Sequence, residues 1–189
     1  MFNRFLASIG IGAATIDTLL DHGRFMPGEE LSGIVRVKGG NVQQSIDTIS
    51  LSVMTEYIRE SNDNKYRQTC GIARIHVSDP FTLEAGEQIE IPFSFTLPLQ
   101  TPLTLGRTPV WIKTELEVRG GMDPGDNDRI EVVPTPQMNT VLHALELLGF
   151  RLIKVDCEHV HGAGAICRSF KSLSLRRRRI FADSLTSWN

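Results

Sequence analysis

Four side chains near the carboxyl end of the chain are of the types that bind zinc. Cys157, His159, His161 and Cys167 form a Cys-x-His-x-His-x5-Cys pattern, and thiolates and neutral imidazoles are common zinc ligands. The spacing matches no standard zinc knuckle, however. We therefore predict no metal site here, and no metal or other cofactor for the chain.

A second polar group lies in a glycine- and aspartate-rich segment, at Asp123, Asp126, Asn127 and Asp128. Carboxylate oxygens suit Ca²⁺, but the ligand order of an EF-hand and its closing glutamate are missing. We interpret this segment as a solvated turn.

Catalytic patterns are absent from the sequence. It holds no Gly-x-Ser-x-Gly, no glycine-rich phosphate loop and no His-Glu-x-x-His. His22, His76 and His143 are scattered, and His143 adjoins the apolar stripe of a predicted helix, which favours a boundary position over a catalytic one. We predict that the chain is not an enzyme, and we assign no catalytic residue.

Charge is distributed unevenly along the 189 residues. Residues 1–162 hold 14 basic and 21 acidic side chains, whereas residues 163–189 hold six basic and one acidic. The four consecutive arginines at residues 176–179 could bind nucleic acid or anionic lipid by charge. The acidic body argues against nucleic acid, so we predict a protein partner instead.

The length and composition predict one domain, or one domain and a fragment, with a real core. No apolar run reaches the length of a membrane span, and the first 12 residues do not form a clear signal peptide. An odd number of cysteines (three) without an export signal predicts reduced thiols and a cytoplasmic location.

Strand patterns dominate the chain from about residue 14 to residue 134. Short runs alternate apolar and polar side chains and are separated by turn residues. The clearest run places Ile89, Ile91, Phe93, Phe95 and Leu97 at period two. No crossover long enough for a parallel βαβ unit is present. The fold class is therefore all-β, an antiparallel β-sandwich.

One helix is predicted after the strands. Its apolar stripe consists of Met138, Val141, Leu142, Leu145 and Leu148. Asn139 or Thr140 is expected to cap its start, and Gly149 stands where a helix-ending glycine belongs.

Four segments of the sequence resemble the SpoOM family of sporulation-control proteins. They read LASIGIGA (residues 6–13), PGEE (27–30), VWIKTELE (110–117) and NTVLHALELLGFRL (139–152). The resemblance implies an arrestin-like fold with two sandwich domains in tandem. It divides the chain into a sandwich domain at 1–136, an interdomain helix at 137–149, the first strand of an incomplete second domain at 150–161, and an aberrant, disordered basic tail at 162–189.

The tail suggests a frame change in the gene. Read one base earlier, arginine codons of the CGN type become codons for Ser, Pro, Thr or Ala, and residues 164–189 can be re-read as a strand-like, turn-rich peptide. We hypothesise a frameshift near residues 159–164. The alternative is a natural disordered basic tail, and the nucleotide sequence decides between them.

By resemblance, the chain is a non-enzymatic regulatory or adaptor protein that acts through protein contacts at sheet edges and interdomain loops. Self-association through a sheet edge or the exposed helix face is a further expectation. A carbohydrate- or ligand-binding sandwich and a non-functional truncated product remain alternatives. The partner-binding residues that we predict are Pro27, Gly28, Val110, Trp111, Ile112, Lys113, Thr114, Glu115, Leu142 and Leu145.

Overall fold

The computed structural model describes residues 12–61, 64–105, 108–159 and 169–177, with backbone alone at the strand residues 59–61, 64–65, 151–159 and 169–177. Within these residues two sheets form. The smaller has the strand order β1-β3-β7, with β1 at Thr15–Leu20, β3 at Glu30–Lys38 and β7 at Gln88–Thr96. Both of its pairings are antiparallel.

The larger sheet has eight strands within the described residues. They are β2 (Arg24–Phe25), β4 (Gln44–Ser61), β5 (Asn64–Ser78), β6 (Phe81–Leu83), β8 (Val110–Val118), β9 (Gly125–Val132), β10 (Phe150–His159) and β11 (Ser169–Arg177). The long strand β4 pairs with β5 and β6 along one edge and with β8 and β10 along the other. Two short contacts, β2 with β9 and β10 with β4, are parallel, and the other pairings are antiparallel.

The core lies between the two sheets and is built by alternation. In β4, Ile49, Leu51 and Val53 are fully buried, as their period-two spacing predicts. In β8 the buried and half-buried residues alternate along the whole strand. Leu31, Val35 and Val37 of β3 close the core from the smaller sheet. The predicted all-β fold is confirmed.

The single helix of the described residues, α1, spans Pro136–Leu147. Its cap differs from the prediction, because Thr135 accepts a hydrogen bond from the Met138 backbone N–H at 3.3 Å and Pro136 opens the first turn. Proline needs no N–H there and so favours the earlier start. Gly149 ends the helix with a positive φ of 81°, as predicted.

The segment that we predicted to be a disordered tail includes a strand. Ser169–Arg177 forms β11 and pairs antiparallel with β10, within the range 162–189 for which we predicted a disordered tail; the other residues of that range lie outside the described ones. The sequence of β11 begins Ser-Phe-Lys-Ser-Leu-Ser-Leu. Polar and apolar side chains alternate in the last four of these residues, but the arginines that follow obscure the pattern. The pairing also supplies β10 with backbone partners, which a lone strand would lack.

Candidate functional site

The sandwich is joined by side chains where β1 faces β8 and β9. The hydroxyls of Thr18 and Thr114 lie 2.6 Å apart and are buried. The Thr18 backbone N–H donates to an Asp126 carboxylate oxygen at 2.8 Å. This bond satisfies a backbone donor on β1, the edge strand of the smaller sheet, so this edge is partly closed to another strand.

The opposite side of the sandwich, where β5 and β7 approach each other, is less well covered. Its apolar residues pack on the core but stay only half-buried, and we call them the open side: Ala73, Ile75 and Val77 of β5, and Ile89, Ile91, Phe93 and Phe95 of β7. The Phe93 and Phe95 rings stack with centroids 6.3 Å apart. A half-covered apolar strip on edge strands is typical of a contact surface.

The backbone of β7 also has one edge that pairs with no other strand of the described residues, and we call it the free edge. Leu97, just after the strand, donates its N–H to Glu29 and accepts from the Gly28 N–H, each at 2.8 Å. Backbone hydrogen bonds alternate along an antiparallel pair of strands. The backbone N–H and C=O groups of the odd-numbered residues of β7 therefore bond to β3, and those of the even-numbered residues point away from β3. The outward-facing set is Gln88, Glu90, Pro92, Ser94 and Thr96. Pro92 has no N–H to offer, so the free edge is interrupted at its centre.

The predicted residues Pro27 and Gly28 lie at the end of this free edge. They form a turn closed by the Glu29 N–H and the Met26 carbonyl at 3.0 Å, and Gly28 has a φ of 87°. Pro27 is buried and Gly28 is exposed. A Cβ at residue 28 would meet only the far end of the exposed Leu99 side chain, which can move aside, so the turn needs glycine for its φ rather than for space.

The six predicted residues of β8 divide between the two faces of the larger sheet. Val110, Ile112 and Thr114 point into the core and are at most 1% exposed. Trp111, Lys113 and Glu115 are half-buried on the outer face, where the Lys113 ammonium lies 2.6 Å from the Glu115 carboxylate. Only this outer set is accessible to a partner.

The predicted helix residues Leu142 and Leu145 line a cavity of about 460 Å³ beside the sandwich. Its wall is mainly apolar, with polar groups from α1, and consists of Leu105, Pro134, Asn139, Leu142, His143, Leu145, Glu146 and Phe150. No residue of α1 is buried, and Val141, Leu147 and Leu148 are exposed. The structure therefore places the ten predicted residues in three separate regions rather than one site, and four of them, Pro27, Val110, Ile112 and Thr114, are buried.

The acidic segment is not simply a solvated turn, since β9 begins at Gly125. Asp123 accepts a hydrogen bond from the Val118 backbone N–H at 2.8 Å. Asp126 and Asp128 are half-buried on the inner side of β9, and one Asp128 oxygen is buried without a partner among the described residues. Burial, followed by the nearby charge of Asp126, raises the pKa of Asp128 from 3.8 to about 6.

We expect Asp128→Asn to stabilise the protein by about 1 kcal/mol at neutral pH, less than the full shift implies because solvent screens a half-buried carboxylate. The Asp128 carboxyl keeps its proton to a higher pH in the folded protein than in the unfolded chain. The free energy of unfolding therefore falls as the pH rises from 3.8 to about 6 and stays lower above it. Urea unfolding across this range measures the effect. The native chain is the reference, and an unchanged profile in Asp128→Asn would contradict the assignment.

Comparisons with known proteins agree with this architecture. A family model described as SpoOM protein matches residues 2–179. The sporulation-control protein Spo0M of Bacillus subtilis (strain 168) is 45% identical over 157 residues, which are 83% of this chain and 61% of that protein. This chain belongs to the SpoOM family. The crystal structure of Spo0M from Bacillus subtilis superposes with a TM-score of 0.77 at 44% identity, covering 79% of this chain and 61% of that one. The chain thus spans about 61% of the length of that relative.

The zinc-type pattern gains no support in this SpoOM-family chain. Cys157 and His159 lie on β10, for which only the backbone is described, and His161 and Cys167 lie outside the described residues. No group of three or more metal-binding side chains occurs where side chains are described. Cys70 is disulfide-bonded, so the prediction of reduced thiols is wrong there, because an odd cysteine count still permits one pair.

Sequence reasoning missed the open side of this family member. The period-two run from Ile89 to Leu97 predicts a strand but not how far its apolar face is covered, and the apolar residues of β7 are half-buried. Pro92 was the available signal, because proline inside a strand is typical of an edge. In the part of the chain that the structure describes, no helix has the length and apolarity needed to span a bilayer.

Proposed function

We propose that this SpoOM-family chain is a non-enzymatic regulatory or adaptor protein of the sporulation-control type that acts in the cytoplasm through protein contacts. The observation that supports this proposal is the open side of the sandwich. There, apolar side chains occur together with backbone groups of the edge strand β7 that have no strand partner in the described part of the chain. A partner needs no bond chemistry to be held by such a surface.

The mode of contact that we propose is strand addition to β7. An extended partner segment gains main-chain hydrogen bonds along the free edge, and its alternate side chains reach the half-buried apolar strip. Since Pro92 interrupts the edge, the partner strand bonds on either side of it, near Glu90 and near Ser94. The break limits the accepted registers and disfavours uncontrolled pairing between copies.

The turn at Pro27 and Gly28 supports this surface from its end. The Gly28 N–H bond to Leu97 holds the last residue of the apolar series in register with β3. Disrupting the turn is therefore expected to weaken partner binding by shifting the end of β7. The outer residues of β8 and the cavity beside α1 are separate surfaces for further contacts.

We expect Ser94→Pro to reduce recovery of a protein partner about tenfold, because one outward N–H donor is lost and a ring is added at the edge. The bonds from β7 to β3 are kept, since Ser94 faces away from β3, and the neighbouring Pro92 shows that the edge tolerates proline. Cross-linking in sporulating cells with a tagged chain, followed by quantitative mass spectrometry, measures the recovery.

The matched control is Ser94→Thr, which keeps the N–H donor and suits a strand. A partner held by strand addition is recovered equally with the native chain and Ser94→Thr, and is depleted with Ser94→Pro. Circular dichroism checks that all three proteins fold. If a folded Ser94→Pro protein recovers the same partners in the same amounts, strand addition at β7 is wrong.

A further inference from the structure

The carboxyl end of α1 presents large apolar side chains to solvent. Leu147 is 76% exposed and Leu148 is 67% exposed. They are adjacent in sequence and stand at the last helical residue and the cap. Two neighbouring leucines this exposed are costly in water, and their position at the tip of an element would let them enter an apolar medium without unfolding the helix.

Basic residues lie immediately beyond these leucines. Arg151 follows Leu148 by three residues, which places its Cα within about 11 Å along the chain. In the hairpin of β10 and β11, Arg176 is the register partner of Arg151, and Arg177 is the register partner of Phe150. Paired strands bring such positions to within about 5 Å of each other. The backbone thus gathers three arginine positions beside two exposed leucines.

We infer that this end of the protein, comprising Leu147, Leu148, Arg151, Arg176 and Arg177, binds the surface of an anionic phospholipid membrane. Apolar side chains that enter the interface and basic residues that meet the headgroups are the two contributions that peripheral binding combines. This inference goes beyond the proposed protein contacts at β7, because it uses a different end of the molecule.

Charge complementarity restricts the binding to this end. Residues 1–162 carry 14 basic and 21 acidic side chains, whereas residues 163–189 carry six basic and one acidic. An anionic surface therefore repels most of the chain and attracts the β10–β11 hairpin. A nucleic acid has the same negative charge as the membrane surface but offers no apolar medium to the leucines. Binding of a nucleic acid would therefore use the arginines and leave the leucines exposed.

The test measures co-sedimentation of the full chain with phosphatidylcholine vesicles that do or do not contain phosphatidylglycerol. We expect binding to the anionic vesicles only, weakened by salt. Replacing both arginines, in Arg176→Gln/Arg177→Gln, should lower the affinity about thirtyfold, as expected for two basic residues at an anionic surface. Replacing both leucines, in Leu147→Ser/Leu148→Ser, should lower it about tenfold because less apolar area enters the interface.

Two matched controls lie elsewhere on the molecule. Arg129→Gln removes an exposed arginine from β9, and Met122→Ser removes an exposed apolar side chain that neighbours acidic residues. Both should bind vesicles like the native chain. Equal binding to neutral vesicles would overturn the inference, as would a leucine variant of native affinity. If the native chain and Leu147→Ser/Leu148→Ser bind a DNA oligonucleotide equally, and the oligonucleotide displaces the vesicles, the arginines bind nucleic acid instead and the inference is wrong.

Discussion

Replacing Ile112 with alanine is expected to lower the free energy of unfolding by about 4 kcal/mol. Ile112 is fully buried at the centre of β8, where it is the register partner of Val53 on β4 and of Asp128 on β9. Neighbouring strands on both sides hold the backbone, so the site cannot collapse around the missing atoms. The variant thus loses the transfer free energy of three carbon atoms and gains a cavity.

The adjacent residue Lys113 is the matched control. Its side chain is on the outer face, in an ion pair with Glu115, and such partly exposed pairs contribute little. Lys113→Ala should therefore change the free energy of unfolding by no more than about 0.5 kcal/mol. Urea unfolding followed by circular dichroism compares the two variants. Similar losses in both would mean that β8 does not have the inward and outward faces described above.

This pair of variants also decides how β8 could take part in binding. Three of the six predicted residues on this strand are core residues, so their replacement weakens a partner contact only by unfolding the sandwich. A contact made by β8 itself would be weakened by Trp111→Ala or Lys113→Ala in a protein that stays folded.

A methyl group added at Gly33 is expected to cost about 3 kcal/mol, the upper range for overpacking. A Cβ at this position would clash with the Leu19 carbonyl oxygen and lie 3.0 Å from the Phe93 ring. Gly33 and Phe93 are register partners on β3 and β7, and the ring occupies the space that a side chain at residue 33 would need. Gly33→Ala must therefore move the backbone of β1, to which the Leu19 carbonyl belongs, and shift the Phe93 ring as well.

Gly23→Ala serves as the control, because nothing lies within 4 Å of its added Cβ. Its φ is not in the left-handed range, so the change should be neutral or stabilise slightly through the unfolded chain. Thermal unfolding measures both variants. A Gly33→Ala protein as stable as the native one would show that β1 and β3 are not packed as closely as described. Because Gly33→Ala disturbs Phe93 on the open side, it should also weaken a partner bound there.

Alternation made much of this fold predictable from the sequence. The period-two run from Ile89 to Leu97 falls on β7 at Gln88–Thr96 and the residue after it, within the range of residues 14–134 where strand patterns are predicted. Period-two patterns report which side chains share a face, and a buried face tolerates no slip by one residue. The glycine after α1 was equally clear, since few other residues adopt its φ.

The boundaries that failed are those where a polar residue occupies an inward position. Asp126 and Asp128 read as part of a loop, yet they belong to β9, because Asp126 bonds to Thr18 on a strand more than a hundred residues away. Local patterns carry no information about such partners. The arginines at the end of β11 also obscured its strand pattern, although β11 pairs with the strand just before it in the sequence.

The sequence by itself determined the fold class, the inward residues of the central strands and membership of the SpoOM family, because hydrophobic periodicity and family motifs are local properties of the chain. Tertiary structure alone decided which apolar faces are fully covered. Sheet order makes β7 an edge and β8 a centre, although their alternation is equally regular. It also separated Gly28, Trp111 and Leu142 onto three surfaces, because exposure depends on what other strands pack against a face rather than on the residues of that face.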